Sequence, residues 1–242
     1  MQKVYLDNNI FVDIEYGNLN LSDFLSYRDT CYYFSSAHIE ELIKGEGIEK
    51  LSIEKRLKLI EQLTKTNCIL SGLIQPEFVS LTPQQLYDRI RRGLTNIMRE
   101  IVNSSVMNFN IDREKFMEYL KINKKEINNI PPQDILPTIN EVLFQYMNID
   151  LVTYIQRTEA IGYTLYYTLF NLLDFLCYHK DKQTENSNVA RLYDSFHAFS
   201  AQICDVLVSE DKKMRYKTKA VYSYLGIKTK VLSMSEFLSS KY

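Results

Sequence analysis

The chain has 242 residues, a formal net charge of -1, seven glycines, five prolines and no tryptophan, against 18 tyrosines and 12 phenylalanines. That length buries a sizeable core, as one large domain or as a small domain carrying an insertion, and the composition excludes a disordered chain. The near-neutral balance excludes a global electrostatic drive toward nucleic acid, so any such binding must rest on local patches.

Taken in chain order, Lys3 to Leu6 reads as a short strand ending at Asp7. Asn8 to Glu15 follows at helical spacing and stops near Gly17. Cys31-Tyr32-Tyr33-Phe34 is a β-favouring run, after which Ser35 or Ser36 caps a helix containing Ile39 and Leu42 that ends before Gly45 and Gly47. From about Ile48 to Lys182 the periodicity is helical, with only a weak strand signal at Cys68-Ile69-Leu70. Within it, Pro83 with Thr82 as cap predicts a helix through Arg99 to Val102. Pro131-Pro132 precedes another, from about Asp134 to Tyr146, and a long helical pattern runs from Leu151 to Tyr178. From about Asn188 a helix leads through Cys204 to the strand Val206-Leu207-Val208, a helix over Lys212 to Leu225, a strand around Val231 and a short helix from Ser235 to Ser239.

Alternating strands and helices at both ends predict an α/β fold with a parallel sheet flanked by helices. The expected core is discontinuous, 1–44 with 188–242, around a large all-helical middle segment, 45–187. Val4, Leu6, Phe34, Val206 and Val208 are its expected buried strand residues.

Cys31, Cys68, Cys177 and Cys204 are scattered among apolar neighbours with no CxxC pair, which suits reduced core thiols in a cytoplasmic protein and not a zinc site. No signal-peptide pattern opens the sequence. The most apolar stretch, Ala160 to Leu176, includes Asn171 and Asp174; it is too short and too polar for a bilayer span, so a buried helix and no membrane partner are expected.

Four acids stand out: Asp7 and Asp211 after apolar strands, Glu41 on the helix after the second strand, and Asp194 opening a helical run. A carboxylate at a strand's carboxyl end lies where open α/β sheets place ligands. Carboxylates converging there repel one another unless a hard cation neutralises them, and without it at least one should have a raised pKa. Mg²⁺ or Mn²⁺ held by such a set activates water and neutralises a phosphate, with Asp7 as a bridging ligand and Asn9 and Ser209 orienting ligands or phosphate.

Val4-Tyr5-Leu6-Asp7-Asn8-Asn9 resembles the opening strand and Asp-x-Asn motif of the PIN-domain ribonucleases. Ser35 to Leu42 resembles their second motif, and Asp194 through Asp211 their third and fourth. Leu42 and the motif register favour Glu41 over its neighbour Glu40. The resemblance covers roughly the first 45 and last 55 residues; the middle is far longer than in compact members of that family. It implies a PIN-like, metal-dependent endonuclease acting on RNA in preference to DNA, with catalytic and metal residues Asp7, Glu41, Asp194 and Asp211. An inhibitory protein partner or a homo-oligomer is in keeping with it.

His38 and His197 each lie three residues from an acid, on the helical faces of Glu41 and Asp194, and suit supporting or phosphate-contacting roles; His179 reads as surface or helix-terminal. Lys212, Lys213, Arg215, Lys217 and Lys219 follow Asp211 directly, with Lys213 the chosen phosphate contact, and Arg89, Arg91, Arg92 and Arg99 form a second basic cluster. Two other classes compete with the nuclease. One is a non-catalytic PIN-like binding or scaffold protein. The other is a carboxylate-bridged metal oxidase in a helical bundle, with Asp194-x-x-His197 as half of its site.

Overall fold

A computed structural model describes residues 1–26, 29–44, 53–94, 113–124, 126–180 and 185–240. Its centre is a six-stranded sheet: β1 (Gln2–Leu6), β2 (Thr30–Ser35), β3 (Asn67–Ser71), β4 (Pro76–Ser80), β5 (Val206–Val208) and β6 (Lys230–Leu232), in the spatial order β4-β3-β2-β1-β5-β6. All neighbours are parallel except β3 and β4, which form an antiparallel hairpin. β1 therefore lies between strands drawn from both ends of the chain, with Val4 opposite Tyr32 on one side and Val206 on the other.

Period-two alternation decides which face each strand residue serves. Val4, Leu6, Phe34, Cys68, Val206 and Val208 share one core. Against it pack α1 (Asn8–Glu15), α2 (Leu21–Leu25), α4 (Ile53–Thr64), α5 (Pro83–Arg89) and α12 (Met234–Ser239). Tyr5, Ile69 and Leu207 point the other way. That second core holds α6 (Arg113–Tyr119), α7 (Pro132–Met147), α8 (Leu151–Arg157), α9 (Tyr163–Phe175), α10 (Glu185–Ala201) and α11 (Lys212–Leu225). The helix α3 (Ser36–Lys44) gives Ala37 to one core and Ile39 to the other. All five expected strand residues are buried.

The middle segment is not all helical. Residues 67–80 supply β3 and β4, and β3 pairs in parallel with β2, so the sheet extends into the stretch read as insertion. Asn67 to Ser71 is too short for periodicity to separate a strand from a buried helix turn, and the partner strand β2 decides it. The long helix expected over Leu151 to Tyr178 is broken into α8 and α9, with Glu159 and Gly162 at positive φ. The break seats the β3–β4 turn. Tyr163 donates its amide to the Leu73 carbonyl at 2.9 Å, and a Cβ on Gly162 would stand 2.1 Å from that oxygen. Only glycine fits there.

The Pro83 helix begins as expected, with a Thr82/Gln85 capping box, and runs into a π turn at Ile90–Leu94; its expected extension to Val102, with Arg99, lies outside the described residues. The helix expected through Cys204 ends at Ala201. All four cysteines are free thiols. Among the described residues no helix is long and apolar enough to cross a membrane.

Candidate functional site at the carboxyl edge of the sheet

β2 and β3 lie on one side of β1 and β5 on the other, so the chain's direction of winding reverses between β1 and β5. That switch point leaves a crevice outside the strand ends, the usual ligand site of open α/β sheets. Asp7 sits there. Its amide donates to Val208 O at 2.9 Å, tying the ends of β1 and β5 together.

The Asp7 carboxylate is buried and accepts three hydrogen bonds. Oδ1 accepts from the Asn8 amide at 2.8 Å, which caps α1; Oδ2 accepts from Asn9 Nδ2 and from Ser209 Oγ, both at 2.7 Å. Asn9 also reaches Ser209 Oγ at 3.1 Å and accepts from the Glu210 amide, while the Asp211 amide donates to Ser209 Oγ. Asn9 and Ser209 thus orient the Asp7 carboxylate. Burial raises the Asp7 pKa, His197 and Ser209 pull it down, and Glu41 pushes it up. The anticipated repulsion between acids is present, but burial is the larger cause.

His197, from α10, joins Asp7 to Glu41. Its Nε2 lies 3.2 Å from Glu41 Oε2 and 3.7 Å from Asp7 Oδ1. Burial opposes a charge on this ring, but Asp7, then Glu41 and Glu40, outweigh it, and the pKa is raised. A proton on Nε2 therefore stands between the two carboxylates. On the ring's other side Nδ1 is 2.7 Å from the hydroxyl of Tyr5, which is itself 2.6 Å from Ser35 Oγ. Burial lifts the Tyr5 pKa well above the usual phenol value, so it serves as a neutral hydroxyl.

His38 has a different task. Its Nδ1 accepts from the Ser35 amide at 3.0 Å, which leaves Nε2 to donate to Leu6 O at 2.7 Å. Burial, and then the charge on His197, depress its pKa well below the histidine range. It is a neutral brace joining the end of β2 to the residue before Asp7.

The four acids do not share one position. Asp7 and Glu41 meet through His197, and Asp194 is half-buried one turn before it on α10. Asp211 is exposed, and its Oδ1 caps α11 by accepting from the Lys213 and Met214 amides. Among the described residues no group of three or more His, Cys, Asp or Glu side chains is set to hold a metal ion. The physical reason is that His197 and the amides of α11 neutralise charge a cation would otherwise neutralise. Glu40 adds to the negative side: burial and then Glu41 raise it from 4.5 to about 7.

The basic cluster after Asp211 separates by face. Arg215 donates to Ser209 O at 2.6 Å, bracing the site from behind. Lys217 is fully buried and pairs with Asp174 at 3.4 Å, and Arg191 meets the same carboxylate at 2.9 Å; a phosphate contact by Lys217 is ruled out by burial. Lys212 is exposed, and Lys213 and Lys219 are half-buried. Arg89, at the end of α5, and Arg91 and Arg92, in the π turn after it, lie on the opposite face of the sheet and are all exposed. His179 is half-buried and not simply superficial: its ring stacks on Tyr216 with centroids 4.1 Å apart, and burial with Lys212, Lys217 and Lys213 lowers its pKa to about 4.

Tyr5 and Ser35 join the site without any sequence signal for it. A tyrosine among apolar strand residues signals only a buried ring, and the partners of its hydroxyl come from 30 and 192 residues away. Set beside known proteins, the chain matches no family model, no curated protein and no solved structure.

Proposed function

We propose that the protein is a metal-dependent, PIN-like endonuclease that hydrolyses phosphodiester bonds, with RNA preferred to DNA as its substrate. The observation that carries this is the meeting of Asp7 and Glu41, from separate elements, at the β1/β5 switch point, with Asn9, Ser209 and His197 holding them there. Hard oxygen donors from one or two carboxylates suffice for a Mg²⁺ or Mn²⁺ ion that keeps several waters, so this pair fits such an ion. Asp7 and Glu41 would hold such an ion, which would supply an activated water and charge neutralisation at the scissile phosphate.

The chain's own residues do the rest. Asn9 and Ser209 fix the Asp7 carboxylate through Oδ2, while Oδ1 faces His197, whose Nε2 also meets Glu41. His197 holds a proton at Nε2, and Tyr5 fixes the ring through Nδ1. Asp194 and Asp211 complete the acidic edge. Asp211 caps α11 through Oδ1, so its other oxygen would be the one to reach a ligand.

That cap also favours a second reading, a non-catalytic RNA-binding protein whose acids are satisfied internally. Purified protein incubated with single-stranded RNA and Mn²⁺ distinguishes the two. The nuclease reading expects cleavage that Asp7→Asn reduces more than ~100-fold, beyond the usual effect of a supporting residue. Undiminished cleavage by Asp7→Asn would misplace the site, and RNA binding without cleavage would establish the second reading.

A further inference from the structure

We propose that the groove between α7 and α11 is a binding track for a single-stranded polynucleotide, a placement that rests on the nucleic-acid reading of the sheet-edge site and gives it a route for substrate. The groove is a cavity of about 410 Å³ lined by Pro132, Gln133, Tyr216, Lys219 and Ser223, within the usual size range of small-ligand sites. Lys212, Tyr216, Lys219 and Ser223 are spaced by four, three and four residues, which puts them on one face of α11. The opposite face carries the buried Met214, Lys217, Thr218 and Val221. The stripe begins next to Asp211 at the carboxyl edge of the sheet. It reaches Lys219 about 10 Å farther along the helix axis.

The chemistry of the lining selects the occupant. Lys212 and Lys219 offer point charges suited to successive phosphates, and the Tyr216 ring between them suits a base. Tyr216 is held in place by the stacked His179 ring. The Lys212 ammonium, 5.8 Å from the Tyr216 centroid, belongs to an exposed side chain that an incoming base displaces. The α7 wall contributes Pro132 and Gln133 from the first turn of a sixteen-residue helix whose N-cap, Pro131, supplies no side-chain cap. The positive end of that helix therefore adds to the field of the lysines. Opposing charges are near: Asp134 follows Gln133, and Glu236 feels both Lys219 and Arg215. A duplex keeps its bases stacked on one another, so the ring in this groove favours a single strand.

The test is fluorescence anisotropy on the full chain with a labelled mixed-sequence single-stranded RNA, in excess chelator so that no metal-dependent cleavage intervenes. Lys219→Glu should weaken binding about 10-fold and lower the slope of log K against log salt by ~0.7 for each phosphate no longer neutralised. Tyr216→Leu should weaken it about 10-fold, while Tyr216→Phe stays within about 2-fold of the wild type. Asp134→Asn removes an exposed opposing charge and should tighten binding about 2-fold. The single-stranded DNA counterpart separates the two sources of this chemistry: weaker binding of DNA means the sugar is read, and equal binding means backbone and base alone are read; both support the track. Binding by Lys219→Glu and Tyr216→Leu equal to that of the wild type overturns the proposal. So does tighter binding of an RNA duplex, or equal competition by a polyglutamate of matched charge. Loss of cleavage with binding intact counts against the carboxylate site alone.

Discussion

Helix α10 carries a residue of each of two buried charge clusters, and they differ in balance and in setting. Toward its carboxyl end, His197 faces Asp7, Glu41 and Glu40 at the edge of the sheet. Six residues earlier, Arg191 and the fully buried Lys217 share the carboxylate of Asp174 within the helical layer. The first cluster has more carboxylates than cations and lies at a crevice. The second, among the described residues, pairs each of its cations directly with a carboxylate and is enclosed by packed helices. An enclosed cluster must be balanced by the protein itself, whereas an excess of one sign at a crevice leaves room for a ligand of the other.

The contrast breaks first at Asp174. Asp174→Ala removes the carboxylate that Arg191 and the buried Lys217 share and should destabilise the fold by about 3–5 kcal/mol, measured by urea unfolding; a loss below about 1 kcal/mol would mean the cluster is not a structural one. At the sheet edge the effect should reverse sign. Glu40 has a folded pKa of about 7 against an ordinary 4.5, so stability is lost as pH rises from 4.5 through 7. Glu40→Gln should therefore raise the unfolding free energy above pH 7 by up to about 3 kcal/mol, with the gain vanishing below pH 4.5. A pH-independent effect of this variant would show that Glu40 is not held in the acidic cluster.

Smaller changes sharpen the picture. Tyr5→Phe keeps the buried ring but removes the hydroxyl between His197 and Ser35, which should cost about 1–3 kcal/mol. If the ring of His197 supports a bound ion, the same variant should weaken Mn²⁺ affinity by ~10-fold or more, read by electron paramagnetic resonance. Unchanged stability and affinity would remove Tyr5 from the site. The smallest effect belongs to His179, whose folded pKa near 4 lies below the ordinary 6.5. Stability should then fall as pH drops from 6.5 to 4, by about 1 kcal/mol once water screening of the half-exposed ring is allowed for. His179→Gln should flatten that limb of a thermal-melt profile; an unaltered profile would place the proton elsewhere.

What the residues reveal follows how local each signal is. Asp7 after Val4-Tyr5-Leu6 and Ser209 after Val206-Leu207-Val208 are legible because a strand end and a helix start are written in adjacent residues. β3 and β4 are hard to read because five-residue strands take their identity from pairing partners far along the chain. Lys217 is legible in principle: it shares a helical face with Met214 and Val221, and the lone Asp174 in an apolar helix is the matching clue. His197 and the Tyr5 hydroxyl are placed by long-range contacts that no local spacing encodes. Nor does spacing tell that Asp211 turns its carboxylate to the α11 amides.

The pairing of β1 with β5 has a consequence for the order of events in synthesis and folding. Val4 and Val206 are neighbours in the sheet although some two hundred residues separate them, and the Ser209–Asp7 bond closes a loop of that size. Closure of so long a loop comes late and slowly, after local helices and the β3–β4 hairpin have had time to form. A growing chain that ends before β5 can hold Asp7 beside β2, but it has no neighbour for the other edge of β1 and no Ser209 to orient the carboxylate. The crevice is thus assembled in one of the last steps, and until then β1 is an open apolar edge that invites mispairing.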